Sequence, residues 1–244
     1  MASSPSSLYI VNRNYSSWSL RAWLAVRFVN YPCEVNCLYL DQDHDFGTPQ
    51  AKEILKQAGP TGKVPTLHTY LDGEKIIIFE SLAIMEFLAE DYPQLWPSGK
   101  ADRALARAVS AEMASSFGSL RGNYPMNLRA SYPFVKSYYE ATPGIARDLA
   151  RITSIFVTCR ERVQSRDDLK KIDEGFLFGA FTAADAMYAP VCFRIKSMSL
   201  PISDPVANEY IETLCNYGIV QEWVKEAAKE TQILPSDEVQ FPSE

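Results

Sequence analysis

Short apolar runs come first along the chain, and long stripes at helical spacing come later. Leu8-Tyr9-Ile10-Val11 is unbroken and partly β-branched, which predicts a buried strand. From Ser17 to about Asn30 the positions Trp18, Leu20, Trp23, Leu24 and Phe28 recur with a helical period. Glu34 to Leu40 alternates and predicts a second strand, followed by a polar loop and a short helix, Pro49 to Gln57. Val64–Tyr70 and Lys75–Phe79 read as strands flanking Asp72-Gly73, a pair that tolerates the positive φ of a two-residue hairpin. The stretch ESLAIMEFLAEDY then reads as a helix that turns Leu82, Met85, Phe87 and Leu88 inward. The hairpin demands an antiparallel pair, so the order βαβα then ββα predicts a small mixed sheet of four strands.

The segment YPQLWPSGKADR is rich in Pro and Gly and carries no period, which marks a linker. Beyond it strand signals stop. Leu105, Val109, Met113, Phe117 and Leu120 form one stripe of a long helix, and Leu149, Ile152, Phe156, Cys159 and Val163 form another. The expected organisation is a disordered tail over 1–7, an α/β domain over 8–92, a linker over 93–102, an all-helical domain over 103–232 and a loose tail over 233–244.

Composition narrows the function. Of 244 residues, 47% are hydrophobic and 22% charged, the balance of a globular chain with a substantial core. A net charge of −6 argues against a nucleic-acid or anionic-membrane surface. No apolar run approaches the roughly 18 residues of a membrane span. The start, MASSPSS, has neither a basic region nor an apolar core, so no secretory signal is read. Five cysteines with no CxxC and only two histidines, His44 and His68, leave little material for a metal site or a histidine triad. The thiols suit a reducing compartment, which places the protein in the cytoplasm.

Three segments carry candidate chemistry. NYSSWSLRAWLAV sets hydroxyls at the mouth of a helix, where a Ser is also an ordinary N-cap. Val64-Pro65 stands at a strand entry. A cis bond there would turn the Val64 N–H and C=O outward to pair with an extended peptide; an ordinary strand-start proline is the alternative. Glu80-Ser81 precedes a helix, where free N–H groups favour an anion and where Ser81 is equally a cap. In a βαβαββα layout all three segments fall on one end of the sheet.

The sequence resembles the cytosolic glutathione transferases. The resemblance rests on YSSWSLRAWLA, GPTGKVPTL, FESLAIMEFLAEDYP and FLFGAFTAADAMYAPV, in that order from Leu8 to about Thr231. It implies a thioredoxin-like domain followed by an all-helical one. Ser16 matches the catalytic serine of the serine-type classes such as zeta, and Ser17 the residue after it. Trp18 stands where the zeta-like motif has cysteine, and a bacterial-type branch reading SSWSLRPWLA is nearer, with Ala22 here in place of proline. Val64 matches the residue whose backbone pairs with the cysteinyl part of glutathione, Pro65 the cis-proline, and Glu80 and Ser81 the pair at the γ-glutamyl end. Thr182 and Asp185 fall in the helix-start signature of the second domain, which by spacing is a capping box with a folding role.

The implied function is a glutathione S-transferase of the detoxification kind. Ser16 would help hold the thiol as thiolate for attack on a small apolar electrophile, with glutathione as co-substrate and no bound cofactor or metal. Tyr15, Trp18, Ser116, Phe117, Tyr124 and Met126 are candidates for the electrophile pocket, with Arg121 at its polar edge; a packed domain interface is the other reading of these residues. A homodimer is implied. The alternatives are a non-catalytic ligand-binding relative and a glutathione-dependent isomerase or thiol transferase. A cysteine-type thiol transferase would need a cysteine where Ser16 stands.

Overall fold

The computed structural model of the chain describes residues 6–241. The first part runs β1 (Ser6–Ile10), α1 (Ser17–Phe28), β2 (Cys33–Cys37), α2 (Pro49–Leu55), β3 (Thr66–Leu71), β4 (Glu74–Phe79) and α3 (Ser81–Asp91). The sheet order is β2-β1-β3-β4, with β1 parallel to β2 and antiparallel to β3, and β3 antiparallel to β4. Leu71 pairs with Glu74 across Asp72 and Gly73, which have φ of 50° and 83°, as the Asp-Gly pair requires.

Several boundaries differ from the sequence reading: β3 starts at Thr66 rather than Val64, α2 ends at Leu55 rather than Gln57, and the long helix after α3 starts at Lys100, inside the expected linker. Three further differences have clear physical causes. Ser6 and Ser7, assigned to a disordered tail, lie in β1, where the Ser6 hydroxyl bonds Thr69 Oγ1 at 2.9 Å and Tyr31 Oη at 3.2 Å. The rest of that tail, residues 1–5, lies outside the described residues. Next, β2 stops at Cys37 rather than Leu40, because the buried Asn12 amide takes over both backbone groups of Leu40, at 2.9 and 3.0 Å.

The third difference is in the stripe from Leu105 to Leu120, which is two helices. α4 (Lys100–Ser115) ends, Phe117 takes a left-handed φ of 60°, and α5 (Gly118–Asn123) begins. The buried carboxylate of Asp148 accepts from the Ser119 and Leu120 N–H groups at 3.0 and 3.2 Å, serving the start of α5 in place of a cap.

α6 (Lys136–Ala141), α7 (Ile145–Gln164), α8 (Asp167–Lys170), α9 (Ala183–Ser197), α10 (Pro205–Asn216) and α11 (Gly218–Ala227) complete the helical part. α9 is buried on nearly every face and packs against α1, α4 and α10. Its start is the expected capping box: Asp185 accepts from the Thr182 N–H at 2.8 Å and also from the Leu177 N–H at 3.0 Å. Phe156 of α7 packs on Tyr188 and Tyr210, with ring centroids 5.3 and 4.6 Å away.

Residues 233–241, expected to be loose, form a strap across both parts. Leu234 is fully buried with Val11, Tyr15, Leu40, Ala51 and Leu55. Glu238 accepts from Tyr15 Oη at 2.5 Å and from Asn127 Nδ2 at 3.1 Å, and Phe241 packs edge-on to Tyr132 and Tyr138. Just before the strap, the Glu230 carboxylate accepts from the N–H groups of Arg13 and Asn14 at 2.8 and 3.1 Å. Its polar composition hides these few long-range anchors.

Candidate functional site

The start of α1 is built from its own serines. Ser16 caps the helix: its Oγ accepts from the Ser19 N–H at 3.3 Å, and its O–H donates to Ser19 Oγ at 2.7 Å. Ser17 begins the helix, and Arg194 Nη2 from α9 approaches its Oγ at 3.5 Å. Ser16 and Ser17 are each 8% exposed, and both line a cavity of about 540 Å³. That is within the range of small-molecule sites.

The cavity is walled by Tyr15, Trp18, Val64, Lys52, Lys63 and Arg194, and closed on the strap side by Ser236 and Asp237. The Ser236 N–H and hydroxyl both donate to Asp45 at 2.8 Å, which pins the strap there. A smaller cavity of about 210 Å³ shares Trp18, Lys63 and Val64 with the first and adds Pro65, Phe79, Glu80 and Arg121. The Val64–Pro65 bond is cis. Trp18 is therefore a wall common to both cavities, with Arg21 stacked at 4.3 Å from its ring centroid and Arg121 at 5.0 Å.

Most of the expected glutathione residues thus meet around two adjoining hollows. Ser81 sits at the start of α3 but lies buried outside both linings, its hydroxyl 3.9 Å from Met187 Sδ. Glu80 holds a φ of 71° and reaches the smaller cavity.

The expected electrophile pocket divides. Tyr15, Trp18 and Arg121 line the two hollows, whereas Tyr124 and Met126 are packed in the core. Ser116 and Phe117 face a separate depression with Glu112 and Arg151, because the break after α4 turns them away. Tyr15 is not a free phenol: its hydroxyl donates to Glu238 and accepts from Arg129 Nη2 at 3.0 Å, and burial raises its pKa.

Sequence reasoning missed Lys52, Lys63, Arg194 and Asp237. Lys63 was readable, since it sits inside GPTGKVPTL. Arg194 and Asp237 come from distant segments, and only packing brings them to α1. Burial pushes the Asp237 carboxyl up to about 6, against the pull of Arg194, and desolvation brings Arg194 down to about 10. Cys33 and Cys37 lie on β2, and burial raises both thiols to about 11, so they stay protonated at neutral pH.

A thioredoxin-like sheet that sets a helix start against a cis-proline turn, joined to a helical region, defines the class of protein. Residues 15–91 match the description "Glutathione S-transferase, N-terminal domain". This first domain belongs to the glutathione S-transferase family, and the chain has that family's fold. A probable maleylacetoacetate isomerase from Caenorhabditis elegans is 37% identical over 115 residues, 46% of this chain and 48% of that one. The chain spans about half the length of the curated relatives it matches. A glutathione transferase homolog from Burkholderia, crystallised with bound glutathione, superposes with a TM-score of 0.62 at 20% identity, over 93% of this chain and all of that one. A maleylacetoacetate isomerase from Anaeromyxobacter dehalogenans, with glutathione in its active site, gives 0.59 at 22% identity, over 90% and 94%.

Proposed function

We propose that the protein is a glutathione-dependent transferase that activates the thiol of glutathione at the start of α1. The observation that carries this reading is the shared cavity wall: Ser16, Ser17 and the cis Val64–Pro65 turn surround two adjoining hollows. The γ-glutamyl end of glutathione lies toward Glu80 and the N-terminus of α3, its cysteinyl backbone pairs with Val64, and its sulfur lies beside Ser16 and Ser17. A free cysteine thiol titrates near 8.5. A hydroxyl donor and a helix N-terminus together shift that equilibrium toward thiolate at neutral pH. The thiolate then attacks an electrophilic carbon held in the larger cavity: the C–S bond forms, and the leaving group departs with its electron pair.

Ser16 is the expected donor to sulfur, but its hydrogen goes to Ser19 Oγ and must turn to reach a thiolate. Ser17 approaches Arg194 only as an acceptor, which leaves its own hydrogen available and favours it as the rival. A second reading follows from the curated relatives, which carry the name maleylacetoacetate isomerase. The same thiolate could add reversibly to an activated double bond, allow rotation and leave again, so the two activities share one site.

Glutathione must remain a thiol, which places the reaction in a reducing compartment such as the cytoplasm. The exposed Ile77 and Phe79 on the edge strand β4, which packs on α3, support a homodimer with α3 and α4 near its axis. The test is conjugation of glutathione to a general electrophile, run beside cis–trans isomerisation of an activated alkene dicarboxylate. Turnover of either substrate supports the reading. Glutathione binding with neither activity would favour a ligand-binding protein instead.

A further inference from the structure

Three guanidinium groups meet beneath the cleft, and among the described residues none of them has a carboxylate partner. Arg21 is 1% exposed; its Nε donates to the Met187 carbonyl at 2.9 Å, and both of its terminal nitrogens are buried without a partner. Arg194 is 6% exposed; its Nε donates to the Tyr124 carbonyl at 2.8 Å, its Nη2 reaches Ser17 Oγ, and its Nη1 is buried without a partner. Arg121 donates to the Ala114 and Ser116 carbonyls, both at 3.1 Å.

Arg194 and Arg121 each disfavour the charge on Arg21, and burial disfavours it further. Arginine nevertheless stays protonated, and buried charges in folded proteins are ordinarily paired. The Trp18 ring, which both Arg21 and Arg121 approach, offsets only part of that repulsion. Asp237 on the same cavity wall attracts Arg194 without a direct ion pair, and among the described residues no carboxylate pairs with Arg21 or Arg121. An excess of positive charge beside a ligand cavity is completed by an anion.

We propose that Arg194 is a positioning residue of thiol activation, whose charge beside the Ser16–Ser17 pair holds the sulfur of bound glutathione as thiolate, while Arg21 and Arg121 add positive field around Trp18. This rests on the glutathione reading above. In the step concerned the S–H bond breaks, the proton passes to solvent water, and the electron pair stays on sulfur. Arg194 is the member that reaches both the cavity and the serine pair. Lys52 of α2 and Lys63 of the turn face the same space and reinforce it; Asp237 of the strap and Glu80 before α3 oppose it.

The test is an ultraviolet titration of the thiolate of glutathione bound to the full chain, beside calorimetric affinities for S-methylglutathione, which cannot ionise. Arg194→Gln is expected to move the thiolate midpoint up by about one unit, a tenfold loss of thiolate. Its affinity for S-methylglutathione should stay within about threefold, and Arg194→Lys should restore part of the midpoint. Arg121→Gln, at a half-exposed position, should move the midpoint the same way by about threefold in thiolate, and it carries the test if the first variant does not fold. Asp237→Asn should move the midpoint down. Glutathione binding with an unmoved midpoint in folded Arg194→Gln, or in Arg121→Gln in its place, overturns the role of Arg194 and leaves the glutathione reading standing. Failure of the unmodified chain to bind glutathione overturns both.

Discussion

Ser16 and Ser17 divide the work of the α1 start, one as cap and one as the first helical residue. If either hydroxyl donates to sulfur, its removal loses one charge-assisted hydrogen bond, worth about 1.5–3 kcal/mol. Ser16→Ala is expected to slow turnover roughly ten- to a hundredfold with glutathione affinity nearly intact, and Ser17→Ala to do much less. A swap of the two effects would move the role to Ser17, and normal turnover in both at pH 6.5 would dismiss hydroxyl activation altogether. These serines, Val64 and Pro65 were legible because each belongs to a local motif with its own backbone consequence. Arg194 was not: in the sequence it is one basic residue in an apolar helix. Only the packing of α9 on α1 makes it a neighbour of Ser17.

Among the elements, the strap offers a pH test. Desolvation holds the Asp237 carboxyl at about 6 against its ordinary 3.8, with Arg194 pulling it down and Asp45 and Glu238 pushing it up. The docked strap therefore binds this proton more tightly than a free one does. Its contribution to docking is fully present below the ordinary value and is lost as pH rises through about 6. Hydrogen-exchange protection of the strap amides, corrected for intrinsic rates, should fall between pH 4 and 7, and Asp237→Asn should flatten that fall. An unchanged profile in the variant would assign the dependence to another group.

At the α9 start, Asp185→Ala removes a cap and leaves the buried Leu177 N–H without its acceptor. A loss of about 2–4 kcal/mol is expected in denaturant unfolding, and a loss under 0.5 kcal/mol would contradict that role. This cap was plain in the sequence as Thr182 and Asp185. The break at Phe117 was not, because the apolar stripe keeps its spacing across it and a single left-handed residue leaves no mark on the pattern.

At the scale of the whole molecule, the division into a sheet part and a helical part was readable from the change of period near residue 92. The closure of the cleft by the C-terminal strap was hidden in a polar segment. The proposed homodimer would show in sedimentation at micromolar concentration as a species of twice the chain mass, and a purely monomeric boundary would remove it. We expect the folded chain to bind glutathione between α1, the Val64–Pro65 turn and α3. A ligand that binds only the folded form adds RT ln(1 + [L]/Kd) to its stability, about 2.7 kcal/mol at a hundredfold excess over Kd. Thermal unfolding across a glutathione titration measures this most directly. The melting temperature is expected to climb with the logarithm of glutathione concentration, and a transition that stays fixed up to millimolar glutathione would contradict binding at this cleft.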